Sequence, residues 1–171
     1  ALPISKAYAK AHFEGDFESD IITLNPYMGF DSVVPYLDYV KNKDKGLFIL
    51  LRTSNEGAKD IQYLNIDGKE KVYNYVGDKI NDIASKHMGK CGYSSIGAVV
   101  GGTHLEEADE IRNRLGNIFF LIPGYGAQGG SGSDVASYLK NGNGGVVNSS
   151  RGIITSYKKY EDGIEKLDYY V

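Results

Sequence analysis

Arg151 and Gln128 are the side chains whose type and setting point most directly to chemistry. Arg151 stands in Asn148-Ser149-Ser150-Arg151-Gly152, just after the apolar pair Val146-Val147. A planar guanidinium can hold two oxygens of one phosphate, and backbone N–H groups at a helix start favour negative charge beside it. Gln128 stands in Pro123-Gly124-Tyr125-Gly126-Ala127-Gln128-Gly129-Gly130, which cuts off the apolar run 118–122. Glycines let an anion come close to the backbone. Two successive strand ends of this kind make a pincer for a phosphate. An arginine solvated at a helix start is the plainer reading of Arg151; the neighbouring glycine loop favours the anion. The loop alone is a weak signal. It lacks the Lys-Ser/Thr of a P-loop and does not open into a helix at its third glycine, so neither nucleotide fingerprint applies.

The other candidates are thinner. His104 follows Thr103 at a strand end, but a helix start explains it equally well, and Thr103 with Glu106 makes a capping-box pattern. His12 reads as a helix residue, and His87 as a helix C-terminus, where a cation is favoured. Cys91 is the single cysteine, so no internal disulfide is possible and a reducing compartment fits. Lys90 is its one basic neighbour, too little to mark a reactive thiol. No Cys/His spacing suggests a metal, and no Ser-His-acid set is readable. The net charge of −3 gives no broad basic surface for nucleic acid or membrane. No apolar run nears the roughly 20 residues that span a bilayer. No signal peptide is visible, and a cytoplasmic location is expected.

An alternation of strands and helices must position these residues. Apolar, β-branched runs at 20–24, 46–51, 95–100, 118–122 and 145–148 predict strands, the fourth buried on both faces. Helices are predicted over 5–14, 32–42, 69–88, 104–115, 133–139 and 152–159, with another beginning near Glu161. Ser5 and Asp31 are the expected caps of the first two, and Pro35 falls in a first turn. Tyr8, Ala9, Ala11, His12 and Phe13 give the first helix its stripe. Between the second strand and the 69–88 helix lies an excursion holding Gln62 and a turn at Asp67-Gly68. The 171 residues, 42% of them apolar, suit a single domain. The alternation implies a parallel sheet with right-handed crossovers. Periodicity does not separate an open doubly wound sheet from part of a barrel, but both put the site at the C-terminal strand ends. Asn25, Arg52, Thr53, Ser54, Thr103, His104, Gln128, Asn148, Ser150 and Arg151 gather there.

Four segments, in chain order, carry a resemblance. They are Thr23-Leu24-Asn25-Pro26-Tyr27-Met28-Gly29, Leu51-Arg52-Thr53-Ser54-Asn55, the loop 123–130, and Asn148-Ser149-Ser150-Arg151-Gly152. Together they resemble the orotidine 5′-phosphate decarboxylases, in the longer bacterial subfamily. The likeness runs over nearly the whole chain, and the glycine loop paired with Ser-Arg-Gly is its most specific part. It implies an α/β fold of the (β/α)8 or TIM-barrel type, with about strands four to eight in residues 1–171 and the first three lacking. It implies decarboxylation of orotidine 5′-phosphate to UMP in pyrimidine biosynthesis, by a homodimer, with no cofactor and no metal. Carried over residue by residue, Gln128 and Arg151 hold the 5′-phosphate with Gly129 and the backbone at Ser150. Ser54 reads the pyrimidine edge, Pro123 packs near the base, and Asn25 lies at the mouth.

The family's catalytic signature, Asp-x-Lys-x-x-Asp ahead of the helix predicted near Ser5, has no counterpart in this sequence. In the family that lysine protonates the carbon that loses CO₂, and one aspartate comes from the partner subunit. Lys6 has no aspartate at the required spacings. No catalytic residue is therefore assigned within 1–171; the chain is expected to be part of a longer protein and inactive alone. Its bare sheet edges would invite association. The rival readings are a nucleotide- or phosphate-binding module without chemistry, and another phosphate-binding barrel enzyme such as a sugar-phosphate isomerase. The latter would have only His104 as a strand-end base.

Overall fold

The computed structural model describes residues 2–103, 105–126, 129–162 and 164–170. Helix α1 (Leu2–Phe13) leads into β1 (Ile21–Leu24), α2 (Val34–Asn42) and β2 (Gly46–Arg52). A small hairpin, β3 (Asn65–Ile66) and β4 (Glu70–Lys71), precedes α3 (Val72–Ala84). Then come β5 (Ile96–Val100), α4 (Leu105–Arg114), β6 (Phe120–Pro123), α5 (Gly132–Ala136), β7 (Gly145–Asn148), α6 (Ser150–Ile154) and α7 (Leu167–Tyr170).

Five strands form one parallel sheet in the order β1-β2-β5-β6-β7. That order follows the chain without a reversal. A doubly wound sheet needs a reversal point, so the strand order decides for the barrel type. Right-handed crossovers then put the helices on one face. There Leu47, Ile49, Leu51, Ile96, Ala98, Phe120 and Ile122 pack with Ile80, Ala84, Ala108 and Ile111 into a single core. Each Leu, Ile or Phe among them, removed from water, contributes about 1.5–3 kcal/mol.

Several expectations shift. Strand β6 starts at Phe120, and its burial alternates: Phe120 and Ile122 are buried, Leu121 only partly. It is thus not fully buried on both faces, unlike β5, which is buried at every position. Ser5 does not cap α1. It lies inside the helix on the buried line Ser5-Ala9-Phe13, while Tyr8 is 59% exposed. Asp31 falls in a 3-10 turn, and α2 begins at Val34 without a side-chain cap. The 69–88 helix is shortened to α3 at both ends: the hairpin takes 69–71, and past Ala84 the chain turns toward an antiparallel bridge between Met88 and Ser94. The turn is where it was expected: Asp67 and Gly68, both at positive φ (50° and 68°), open the loop 67–69 between the paired Ile66 and Glu70, which the Lys69 N–H closes on the Ile66 carbonyl at 3.1 Å. The Thr103–Glu106 box does not close: the Thr103 hydroxyl is buried with no hydrogen-bond partner among the described residues. A capping box instead opens α5, between Ser131 and Asp134.

At the N-terminal side of the sheet, Arg112 of α4 gathers four backbone carbonyls. Its guanidinium donates to the carbonyls of Tyr138, Leu115, Ile118 and Gly144 at 2.8–3.2 Å and lies 3.6 Å over the Phe120 ring. Burial pushes it down to about 10, which leaves it charged at neutral pH.

Candidate functional site

The C-terminal strand ends are stitched into one rim by backbone contacts. The Gly101 N–H donates to the Arg52 carbonyl and the Gly102 N–H to the Pro123 carbonyl, both at 2.8 Å. Pro123 lies opposite Asn148 in the β6–β7 register. Gly101 has to be glycine: a Cβ there would sit 2.7 Å from the Ser54 nitrogen. The rim therefore runs from Ser54 through Gly101-Gly102 and Pro123 to Asn148.

A recess of about 210 Å³ opens at the β6–β7 end, lined by Pro123, Gly124, Tyr125 and residues 148–151. It unites three residues singled out in the sequence, Pro123, Ser150 and Arg151. Arg151 is exposed, and no ion pair engages it among the described residues. The Ser150 N–H and hydroxyl both donate to Asn148 Oδ1, at 3.1 and 2.8 Å. Asn148 thus holds the Ser150 N–H, a backbone donor that the sequence reading expected to face an anion. Helix α6 has only five residues, so its dipole adds little beside the Arg151 charge.

The loop over this recess is shaped by glycine. Gly126 N–H donates to Gly130 O, Gly129 N–H to Gly126 O and Gly130 N–H to Gly124 O, at 2.9–3.1 Å. Gly129 has φ +92°, open to glycine at no cost. Gln128 and His104 lie outside the described residues. Ser54 lies two strands from the recess, on the same rim. Asn25 is not part of the recess. Its side chain accepts from the Tyr27 N–H at 3.0 Å, and it lines a separate cavity of about 500 Å³ with Thr53, Gln62 and Tyr73.

Arg52 is also at a strand end, but its side chain is taken up by partners within the protein. A bulge between Leu50 and Arg52 shifts the register with β5. Arg52 is 0% exposed and donates to Glu107 Oε2 at 2.9 Å, to the Tyr63 hydroxyl at 3.1 Å and to the Gly101 carbonyl at 3.1 Å. Lys71 reaches the other Glu107 oxygen at 3.3 Å. Burial alone would raise the Glu107 carboxyl; the Tyr63 hydroxyl, Arg52 and Lys71 outweigh it and hold it below its ordinary range. Burial pushes the nearby Tyr73 hydroxyl up to about 12. Sequence order gave no hint of this network, whose members come from β2, the excursion, β4 and α4.

Sequential parallel strands with a polar recess at their C-terminal ends define a protein of the (β/α)8 barrel type. The sequence model of the orotidine 5′-phosphate decarboxylase / HUMPS family matches residues 4–163. The chain belongs to that family. It is 65% identical over 167 residues to orotidine 5′-phosphate decarboxylase of Petrotoga mobilis, covering 97% of this chain and 58% of that protein. It is 64% identical over 162 residues to the Clostridium kluyveri enzyme of the same name, covering 95% and 56%. Among solved structures, Leishmania donovani OMP decarboxylase superposes with a TM-score of 0.72 at 29% identity, covering 96% of this chain and 60% of that one. The chain thus spans little more than half the length of the curated relatives it matches. No helix among the described residues is long and apolar enough to cross a membrane.

Proposed function

We propose that residues 1–171 form the phosphate- and base-binding part, the distal strands, of an orotidine 5′-phosphate decarboxylase that yields UMP in pyrimidine biosynthesis. One observation carries the reading: the recess brings Pro123, expected against the base, to the same pocket as Arg151, expected on the 5′-phosphate. Family membership supplies the reaction. Decarboxylation breaks the bond from the pyrimidine ring to its carboxylate, and the ring carbon left with the electron pair must take a proton. No Asp-x-Lys-x-x-Asp lies within 1–171, so the proton donor is assigned to residues outside this stretch. The work of this stretch is to anchor and orient. Arg151, with Gln128, Gly129 and the Ser150 N–H, grips the phosphate. Ser54 and Pro123 fix the base. Binding energy gathered at the remote phosphate supports the chemical step when it is realised in the transition state. Asn25 serves the mouth. A homodimer in the cytoplasm, using no cofactor, completes the proposal.

Calorimetric titration with UMP tests it. The 171-residue chain should bind UMP, and Arg151→Ala should weaken binding by about 10- to 100-fold, the worth of charge-assisted hydrogen bonds. Equal affinity in the variant contradicts the phosphate assignment. Supplied with orotidine 5′-phosphate, the chain alone should release no CO₂. Turnover by it would overturn the placing of the proton donor.

A further inference from the structure

We propose that Gln62 is a positioning residue for the base: it sets Ser54 by clamping Thr53. The inference rests on the reading of Ser54 as the contact to the pyrimidine edge. The β2–β5 ladder ends where Gly101 N–H donates to Arg52 O. Beyond that point the Thr53 N–H needs another acceptor, and Gln62 Oε1 provides it at 2.9 Å. Gln62 Nε2 donates to Thr53 Oγ1 at 2.8 Å. A backbone N–H can only donate, so the first bond fixes which amide atom is oxygen, and the second follows. Both ends of one side chain thus grip one residue, the one before Ser54.

Gln62 is itself held from both sides. Its N–H donates to the Ala58 carbonyl at 2.8 Å, and its carbonyl accepts from the Tyr73 N–H at 3.1 Å. Tyr73 and Ala58 are both buried, so the clamp is anchored in packed structure. On its other side Ser54 abuts Gly101, where even a methyl group has no room. Ser54 cannot shift without moving either Gly101 or the Thr53 that Gln62 holds. Recognition by a hydrogen bond tolerates misplacement of only about half an ångström, so this two-sided constraint bears directly on base affinity.

A tie that merely fastened the excursion to the sheet would change stability alone. Two probes separate the roles in the 171-residue chain: UMP, and ribose 5-phosphate, which has the phosphate and sugar but no base. Gln62→Ala should weaken UMP by about tenfold and leave ribose 5-phosphate within about twofold. Gln62→Glu should keep UMP affinity within about threefold, because a carboxylate accepts from the Thr53 N–H and the Thr53 hydroxyl can turn to donate to it. If Gln62→Ala melts the fold by circular dichroism, Thr53→Val, which removes only the hydroxyl contact, should show the same split with about a threefold loss of UMP. Unchanged UMP affinity in a folded variant overturns the proposal, as does equal loss of both probes. Wild-type chain that binds neither probe overturns the nucleotide reading, and this inference falls with it.

Discussion

Arg52 and Glu107 are the residues whose chemistry and place diverge most. An arginine at a strand end suggests an anion site, yet here the guanidinium is wholly buried against a carboxylate, a phenol and a carbonyl. Its Nη2 is buried with no hydrogen-bond partner among the described residues. Such a pair adds little net stability over an apolar substitute, but removing one member strands the other charge. Arg52→Met should therefore cost about 3 kcal/mol in urea unfolding, less where Lys71 and Tyr63 still serve Glu107. The pH dependence has a definite sign. Glu107 is held below its ordinary value of 4.5, so the folded state binds its proton less tightly than the unfolded chain. Its contribution is present above that value and lost as pH falls through the folded one. Glu107→Gln should lower stability at neutral pH and make the decline below about pH 4.5 shallower. A variant with the parent's acid profile would assign acid sensitivity elsewhere.

At the scale of elements, the rim depends on close backbone approach between strand ends. Gly101→Ala would force a Cβ within 2.7 Å of Ser54 N and 2.8 Å of Ser54 Cβ, neither of them a flexible tip. Overpacking of this kind costs about 1–3 kcal/mol. Urea midpoints report the stability loss, and if the proposed nucleotide site is right, UMP affinity should fall too in whatever fraction stays folded. Strands were the legible part. Each predicted strand is found within two residues of its place, because short β-branched runs between glycine and polar turns have few other uses. Helix ends were less legible. The Thr103 and Ser5 patterns suit caps equally well on paper, and tertiary packing put one under cover and the other on a buried stripe. The recess at Arg151 was legible because its residues are consecutive at two strand ends. Gln62 and Glu107 were not, since their partners lie 9 and 55 residues away in sequence, and only the folded sheet brings them together.

Over the whole molecule, the unsatisfied feature is the pair of sheet edges. Among the described residues, strands β1 and β7 each pair on one side only. Ile21 on one edge is 53% exposed and Val146 on the other 46%. An apolar strand edge with free N–H and C=O groups is a template for another strand. The 171-residue chain should therefore associate as its concentration rises from roughly micromolar to millimolar, read by sedimentation velocity. The geometry of association is open to test. Pairing β1 of one copy with β7 of the next is heterologous, and it builds rings or open chains. A lysine on either edge, Ile21→Lys or Val146→Lys, would then suppress it, because edge charge resists strand addition. Two β7 strands can also meet about a twofold axis, which stops at a dimer that only Val146→Lys disrupts. Chain that stays monomeric across this range would show that these edges are covered in solution by its own residues.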